Sequence, residues 1–280
     1  MAKIATLPDQ QTSITNLAAR HDAWSAGQSY ERYMGRWSRE IAGRYLDWLE
    51  APVQADWLDI GCGTGALSQT ILGKCDPRSV TGIDPSEGFV AHAAETTGDE
   101  RAHFATGSAE SLPLRDHAAD VVTSALMLNF VSDRIKALTE MVRVARPGGL
   151  VSFYVWDYPG GSPGFIDAFW KAAAELDEHA ADLDEKNRFP FCTPDGLTDL
   201  CRSAGWNKPD AVAIEIPTRF LTFEDFWHSF SLGAGPAPGY AAKLSGEARE
   251  ALKKRLRLNI GDAGPIALKA RAWAVKAMAP

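Results

Sequence analysis

The chain has 280 residues, 45% of them hydrophobic and 23% charged, with a formal net charge of -7. That length and apolar content suit one large α/β domain with a sizeable core and exclude a fibrous or compositionally disordered chain. The acidic balance argues against a nucleic-acid partner, which calls for a basic face or stripe.

Residues 1–29 are polar and read as a segment preceding one domain that spans 30–280. From 30 to 50, Tyr30, Tyr33, Met34, Trp37, Ile41, Tyr45, Leu46 and Leu49 recur at helical spacing, and Pro52 ends the helix. Residues 55–60 form a short apolar strand that runs into Gly61-Cys62-Gly63-Thr64-Gly65, followed by a helix over 66–72. A second strand, 80–83, ends at Asp84, and a helix surrounds 88–94. Strands follow at 102–105 and 120–125, with a turn at 107–110 between them and a helix over 132–144 after them. Arg146-Pro147-Gly148-Gly149 then reverses the chain into a fifth strand, 150–156. Strands alternating with helices at this spacing predict a doubly wound, mostly parallel sheet with helices on both faces. In such sheets ligands sit outside the carboxyl ends of the strands, where the strand order reverses. The glycine loop and Asp84 both fall at that edge.

The second half is less regular. Helices are expected over 164–180 and 193–204, the latter started by the cap Thr193 with Pro194 at the first helical position. A strand at 211–216 precedes helices at 222–230 and 245–258, which the turn-rich stretch 233–239 separates, and 266–275 is the last strand. Helices among late strands predict a cap over the ligand edge within 157–265, a subdomain because no linker isolates it. Lys253-Lys254-Arg255 with Arg257 is the densest basic run, but Glu247 and Glu250 accompany it, so it reads as a solvated helix face.

Cys62, Cys75, Cys192 and Cys201 form no Cys-x-x-Cys pair and have no companion histidine at ligand spacing, so they read as reduced thiols and no metal is expected. No apolar run approaches the roughly 20 residues of a membrane helix, and the polar N-terminus lacks an apolar signal core. The expectation is a cytoplasmic protein without membrane insertion.

A glycine-rich turn alone is weak evidence. Here it has the form Gly-x-Gly-x-Gly and follows Asp59, an acid at an apolar strand end that is costly to bury unless a cation or hydrogen-bonding group meets it. Trp57-Leu58-Asp59-Ile60-Gly61-Cys62-Gly63-Thr64-Gly65 resembles motif I of class I S-adenosylmethionine-dependent methyltransferases, in particular the quinone-biosynthesis-type (type 11) group. Further blocks match in order: Gly82-Ile83-Asp84-Pro85-Ser86, Gly107 to Pro113, Asp120-Val121-Val122, and Arg143 to Gly149. The resemblance covers about 30–156 and implies a Rossmann-like seven-stranded sheet, with S-adenosylmethionine as cofactor and S-adenosylhomocysteine as product.

It also implies roles. Gly61, Gly63 and Gly65, with Cys62 between them, let the backbone approach the methionine and ribose parts of the cofactor. Asp59 meets the cofactor ammonium, directly or through water. Asp84 accepts from the two ribose hydroxyls; taken alone, it reads equally as a helix N-cap. Ala109 offers its N–H to adenine at a turn shared with Ser108 and Glu110, while Pro85 and Leu126 pack on the ring faces. Two positions depart from many relatives: Ser108 stands where Asp is frequent, and Asn129 where His is frequent. The segment 30–38 resembles an N-terminal helix that closes over the cofactor, which makes Arg36 either a clamp for the cofactor carboxylate or a surface arginine.

A sulfonium is already a strong electrophile, so alignment can supply roughly 7–11 kcal/mol of the barrier and a dedicated base is optional. Tyr154, Trp156, Asp157 and Tyr158 end the fifth strand facing the site, and His228 lies in the cap; Asp157 or His228 is the candidate proton acceptor. A lone histidine is more often structural. The cap aromatics Phe165, Phe169, Trp170, Phe189, Phe191, Phe220, Phe223, Phe226, Trp227 and Phe230 either line a pocket for an apolar small-molecule acceptor or form core. Two other readings stand: an NAD(P)-dependent oxidoreductase, since Asp84 lies 23 residues after Gly61, and a non-catalytic cofactor-binding regulatory module. An open pocket beside the cofactor favours the enzyme. Oligomeric state is not legible.

Overall fold

The computed structural model describes residues 34–231, 235–261 and 263–280. The segment 1–29 and the expected first turn of the opening helix, with Tyr30 and Tyr33, lie outside the described residues.

Five strands run parallel: β1 (Asp56–Ile60), β2 (Ser79–Asp84), β3 (Ala102–Thr106), β4 (Ala119–Ala125) and β5 (Ala145–Trp156). With β6 (Asn207–Phe220) and β7 (Ile266–Met278) they join one sheet in the order β3-β2-β1-β4-β5-β7-β6. Only β7 runs against its neighbours. Trp57 to Ile60 are all buried, as a strand covered on both faces requires. From β1 the chain steps outward one way to β2 and β3, and from β4 the other way to β5. The reversal lies between β1 and β4, so the carboxyl ends of β1, β2, β4 and β5 share the ligand edge.

Helix α1 (Arg36–Leu49) buries Trp37, Ile41, Tyr45 and Leu49 at fourfold spacing. It lies against α2 (Ala66–Lys74), β6 and β7. Ser86 caps α3 (Glu87–Thr97), accepting from the Phe89 N–H, and Asp133 caps α4 (Arg134–Val144), accepting from the Lys136 N–H.

The cap is built between the late strands. Helix α5 (Gly164–Ala174) stops earlier than expected, because Asp177 caps a separate 3-10 turn, Glu178–Leu183, and accepts from the Tyr240 hydroxyl. A single-turn helix, α6 (Glu185–Arg188), follows. Helix α7 (Pro194–Ser203) begins at Thr193 and Pro194 as expected, yet packs on α4, β6 and β7 as a sheet layer and not as cap. After α8 (Phe223–His228), residues 236–239 were expected as turn but begin α9 (Pro236–Lys243), with Pro236 at the first helical position, where its missing N–H costs nothing. Helix α10 (Gly246–Ile260) packs on α5 and leads into β7.

The cap aromatics fill its core. Phe169 stacks on Phe230 at 4.6 Å, and Phe220 meets Phe165, Phe226 and Trp37 edge to face. Among the described residues no helix is long and apolar enough to cross a membrane.

Candidate functional site

The loop after β1 is stitched to β2. Gly61 and Cys62 both donate their N–H to the Ile83 carbonyl, at 2.7 and 3.1 Å. Gly61 takes φ +70°, and a side chain there would meet Met127. Gly63 takes φ +52° with nothing within 4 Å of where a Cβ would sit. The loop therefore leaves open space above Gly63, in a backbone conformation that glycine adopts without strain.

Asp84 closes the arrangement from the end of β2. Its Oδ2 accepts from the Gly63 N–H at 3.0 Å and its Oδ1 from the Ser86 N–H at 2.9 Å. Burial raises its pKa, and those two N–H groups pull it back. Ser86, not Asp84, caps the following helix, which removes the N-cap reading of Asp84.

A cavity of about 350 Å³ opens at this edge, and Gly61, Cys62, Gly63, Asp84, Pro85, Ser108, Ala109, Glu110 and Leu126 are among its lining residues. Ser108 Oγ accepts from the Glu110 N–H and shapes the turn that presents Ala109. Leu126 takes φ +57°, a left-handed conformation that a branched side chain rarely adopts, and donates its N–H to Tyr154 O at 2.8 Å. The cradle fits a cofactor of the implied kind: open space over Gly63 among the described residues, a carboxylate beside it, and the apolar side chains of Pro85 and Leu126 in the lining.

Three expected cofactor residues do not line the cavity. Arg36 points away, its guanidinium 4.2 Å above the Trp37 ring and 4.8 Å above Phe220, with Asp225 at 3.7 Å. These rings and that carboxylate satisfy it at the surface, so the clamp reading is corrected; among the described residues of this region, Met34 and Ser38 reach the cavity. Gly65 starts α2 with its α-carbon turned to α3, where a Cβ would lie 3.2 Å from Ala93 Cβ. Asp59 lies behind the loop at 0% exposure, with Oδ2 accepting from the Ser68 hydroxyl at 2.7 Å and Oδ1 without a partner. Burial pushes its pKa up to about 7.

Both candidate proton acceptors are displaced. Tyr154, Trp156 and Tyr158 line the cavity, but Asp157 falls on the alternate side. There it pairs with Arg271 at 3.3 Å and accepts from the Gly160 N–H at 3.0 Å. His228 is exposed at the end of α8 beside Ser231. The ten cap aromatics line none of the cavity; its rings are Phe89, Phe130, Tyr154, Trp156 and Tyr158. Asn129 is buried, with Nδ2 unpartnered.

One lining residue has no signal in the sequence. Glu185, at the start of α6, is 2% exposed and accepts from the Trp170 Nε1–H. Burial raises its pKa to about 8.

Comparison with known proteins agrees with this edge. The family described as a methyltransferase domain matches residues 58–153, from β1 to β5. A malonyl-[acyl-carrier protein] O-methyltransferase of Pectobacterium atrosepticum is 33% identical over 46% of this chain and 49% of its own length. A demethylmenaquinone methyltransferase of Staphylococcus haemolyticus is 29% identical over 70% of this chain and 85% of its own. The chain spans about half the length of the malonyl-[acyl-carrier protein] O-methyltransferases it matches. The solved phosphoethanolamine N-methyltransferase 2 of Haemonchus contortus, in complex with S-adenosyl-L-methionine, shares the fold at a TM-score of 0.57 and 17% identity, covering 91% of this chain and 56% of that one. The strand order, the matched segment and these relatives agree: residues 58–153 carry a methyltransferase domain similar to those of S-adenosylmethionine-dependent methyltransferases.

Proposed function

We propose that the chain transfers the methyl group of S-adenosylmethionine to a small-molecule acceptor by in-line displacement, leaving S-adenosylhomocysteine. The observation that carries this reading is Asp84, buried to 7% exposure and fixed by the Gly63 and Ser86 N–H groups at the mouth of the cavity. Each oxygen keeps a further lone pair, enough for a pair of ribose hydroxyls.

Gly61 and Gly63 hold the backbone close to the methionine and ribose parts, with Cys62 between them. Ala109 presents its N–H to adenine beside Ser108 and Glu110, and Pro85 and Leu126 sandwich the ring. Asp59 lies behind the loop, held by the Ser68 hydroxyl, and is the carboxyl assigned to the cofactor ammonium, directly or through water. When bound, the cofactor supplies a methyl group already activated by its sulfonium. The chain contributes alignment, worth roughly 7–11 kcal/mol, and the apolar walls Met127, Phe130, Tyr154 and Trp156 exclude water. The relatives' names differ in acceptor, so they leave the acceptor of this chain open. The acidic charge and the absence of lysine, arginine and histidine from the cavity lining among the described residues support a small molecule over a nucleic acid.

Calorimetric titration with S-adenosylhomocysteine, alongside NADH and NADPH, tests the reading. Binding of the first alone is expected; preference for a nicotinamide would favour the oxidoreductase. Asp84→Ala is expected to weaken S-adenosylhomocysteine binding by about 1.5–3 kcal/mol, the loss of hydrogen bonds to a charged group. Unchanged affinity would remove the ribose assignment. Arg36→Ala, by contrast, is expected to leave that affinity unchanged and lower stability by about 0.5–1 kcal/mol, the worth of an exposed cation–π stack. A large loss of affinity in this variant would restore the clamp.

A further inference from the structure

The cofactor reading leaves one buried carboxyl of the cavity unused. Glu185 comes from the cap, as do Ile166 and Pro236, and all three line the cavity. Trp170 Nε1–H holds its Oε2, and no other side chain donates to it among the described residues. Its own N–H and Arg188 favour the charged form; the Asp184 carboxylate opposes it. A carboxyl placed in an apolar wall is expensive unless it meets a ligand.

Charge is the second observation. Among the described residues the lining includes the carboxyls of Asp84, Glu110 and Glu185 and no lysine, arginine or histidine. The same cavity is lined by the aromatic rings of Tyr154, Trp156 and Tyr158, whose faces attract a cation. An anionic acceptor would meet like charge. A neutral hydroxyl would donate a hydrogen bond to a carboxylate but gain no attraction between opposite charges.

Resting on the methyl-transfer reading above, we propose that Glu185 anchors the methyl acceptor, and that this acceptor is a small apolar amine bound as its ammonium ion. The ammonium passes a proton to the Glu185 carboxylate and becomes a neutral amine. Its nitrogen lone pair forms the new C–N bond to the methyl carbon while the C–S pair stays on sulfur, giving a methylammonium and a thioether. Burial pushes the Glu185 pKa up to about 8, closer than an ordinary carboxylate to the value of about 10 for an alkylamine, so the proton transfer is nearer balance.

The test is calorimetry on the full chain saturated with S-adenosylhomocysteine, with benzylamine as probe and benzyl alcohol and phenylacetate as controls of similar shape. Benzylamine is expected to bind about tenfold or more tighter than benzyl alcohol, with phenylacetate weakest of the three. At pH 7 its binding should release a proton, seen as a heat that varies with the buffer, because the largely protonated Glu185 ionises on pairing. Glu185→Gln keeps an oxygen for the Trp170 N–H; it is expected to abolish both the preference and the proton release while leaving S-adenosylhomocysteine affinity unchanged. Preference for the alcohol or the acid, or amine binding indifferent to Glu185→Gln, overturns the proposal. Should that variant fail to fold, wild-type binding without proton release overturns it as well. A wild-type chain that does not bind S-adenosylhomocysteine, read in a separate titration, removes the methyl-transfer reading itself.

Discussion

Gly61→Ala is expected to destabilise the chain by roughly 2–4 kcal/mol and to abolish S-adenosylhomocysteine binding, the sum of left-handed backbone strain and overpacking. The added Cβ would stand 2.7 Å from Met127 Cβ and closer still to its Cγ. A flexible tip can swing aside, but a Cβ moves only with its backbone. That backbone is pinned next door by the left-handed Leu126 and its hydrogen bond to Tyr154 O. Gly63→Ala provides the contrast. It has φ +52° and no atom within 4 Å of its added Cβ, so only strain of about 1–2 kcal/mol is expected in stability, while the methyl group enters the cofactor cradle. Urea unfolding and calorimetry on both variants separate the effects: Gly61 governs packing and binding together, Gly63 chiefly binding. Equal loss of stability in the two would show that Met127 is not the obstacle. Met127→Ala in the Gly61→Ala background should recover the packing part and leave the strain.

The cofactor half was legible because its signals are local. A positive φ needs glycine at Gly61 and Gly63, a strand covered on both faces needs the buried run Trp57 to Ile60, and the acid ending β2 is tied to the loop by the Gly63 N–H and to its own turn by the Ser86 N–H. The acceptor side depends on contacts remote in sequence. Asp157 and Tyr158 are neighbours, and which one faces the cavity turns on where β5 ends and on Arg271, over a hundred residues away. Ten cap aromatics carry hydrophobicity but no address, and only the packing of α5 and α8 on β6 shows that they fill core. Glu185 sits in the run Asp184-Glu185-Lys186-Asn187-Arg188, whose average is that of a solvated turn. Its burial follows from Trp170, 15 residues earlier on another helix. Arg36 misled for a related reason: a fork suited to carboxylates was taken by rings and by Asp225.

Between pH 5 and pH 8 the ligand-free chain is expected to lose stability. Burial pushes Asp59 up to about 7 and Glu185 up to about 8, whereas both release their protons near pH 4 in an unfolded chain. Over that interval the folded state binds more protons than the unfolded one, so the unfolding free energy falls as pH rises. The contribution is whole below about pH 4 and is gone once pH passes the folded values. Displacements of this size correspond to at most about 4 kcal/mol for Asp59 and about 5 kcal/mol for Glu185. Glu140 and Asp116 act in the opposite sense, since hydrogen bonds from Arg143 lower both, but their contribution is complete by about pH 5. The upper window therefore belongs to the buried acids. Urea denaturation at pH 5.5 and 8 should show the decline, and Asp59→Asn should flatten it, since an amide keeps the Ser68 hydrogen bond without the cost of charging. The variant is expected to match or trail the wild type at pH 5.5 and to exceed it at pH 8. Stability that is level or rising across the window would mean that Asp59 is already met by a counter-charge in the free chain. The loop would then be held by an ion pair, and the cofactor ammonium would have a competitor to displace.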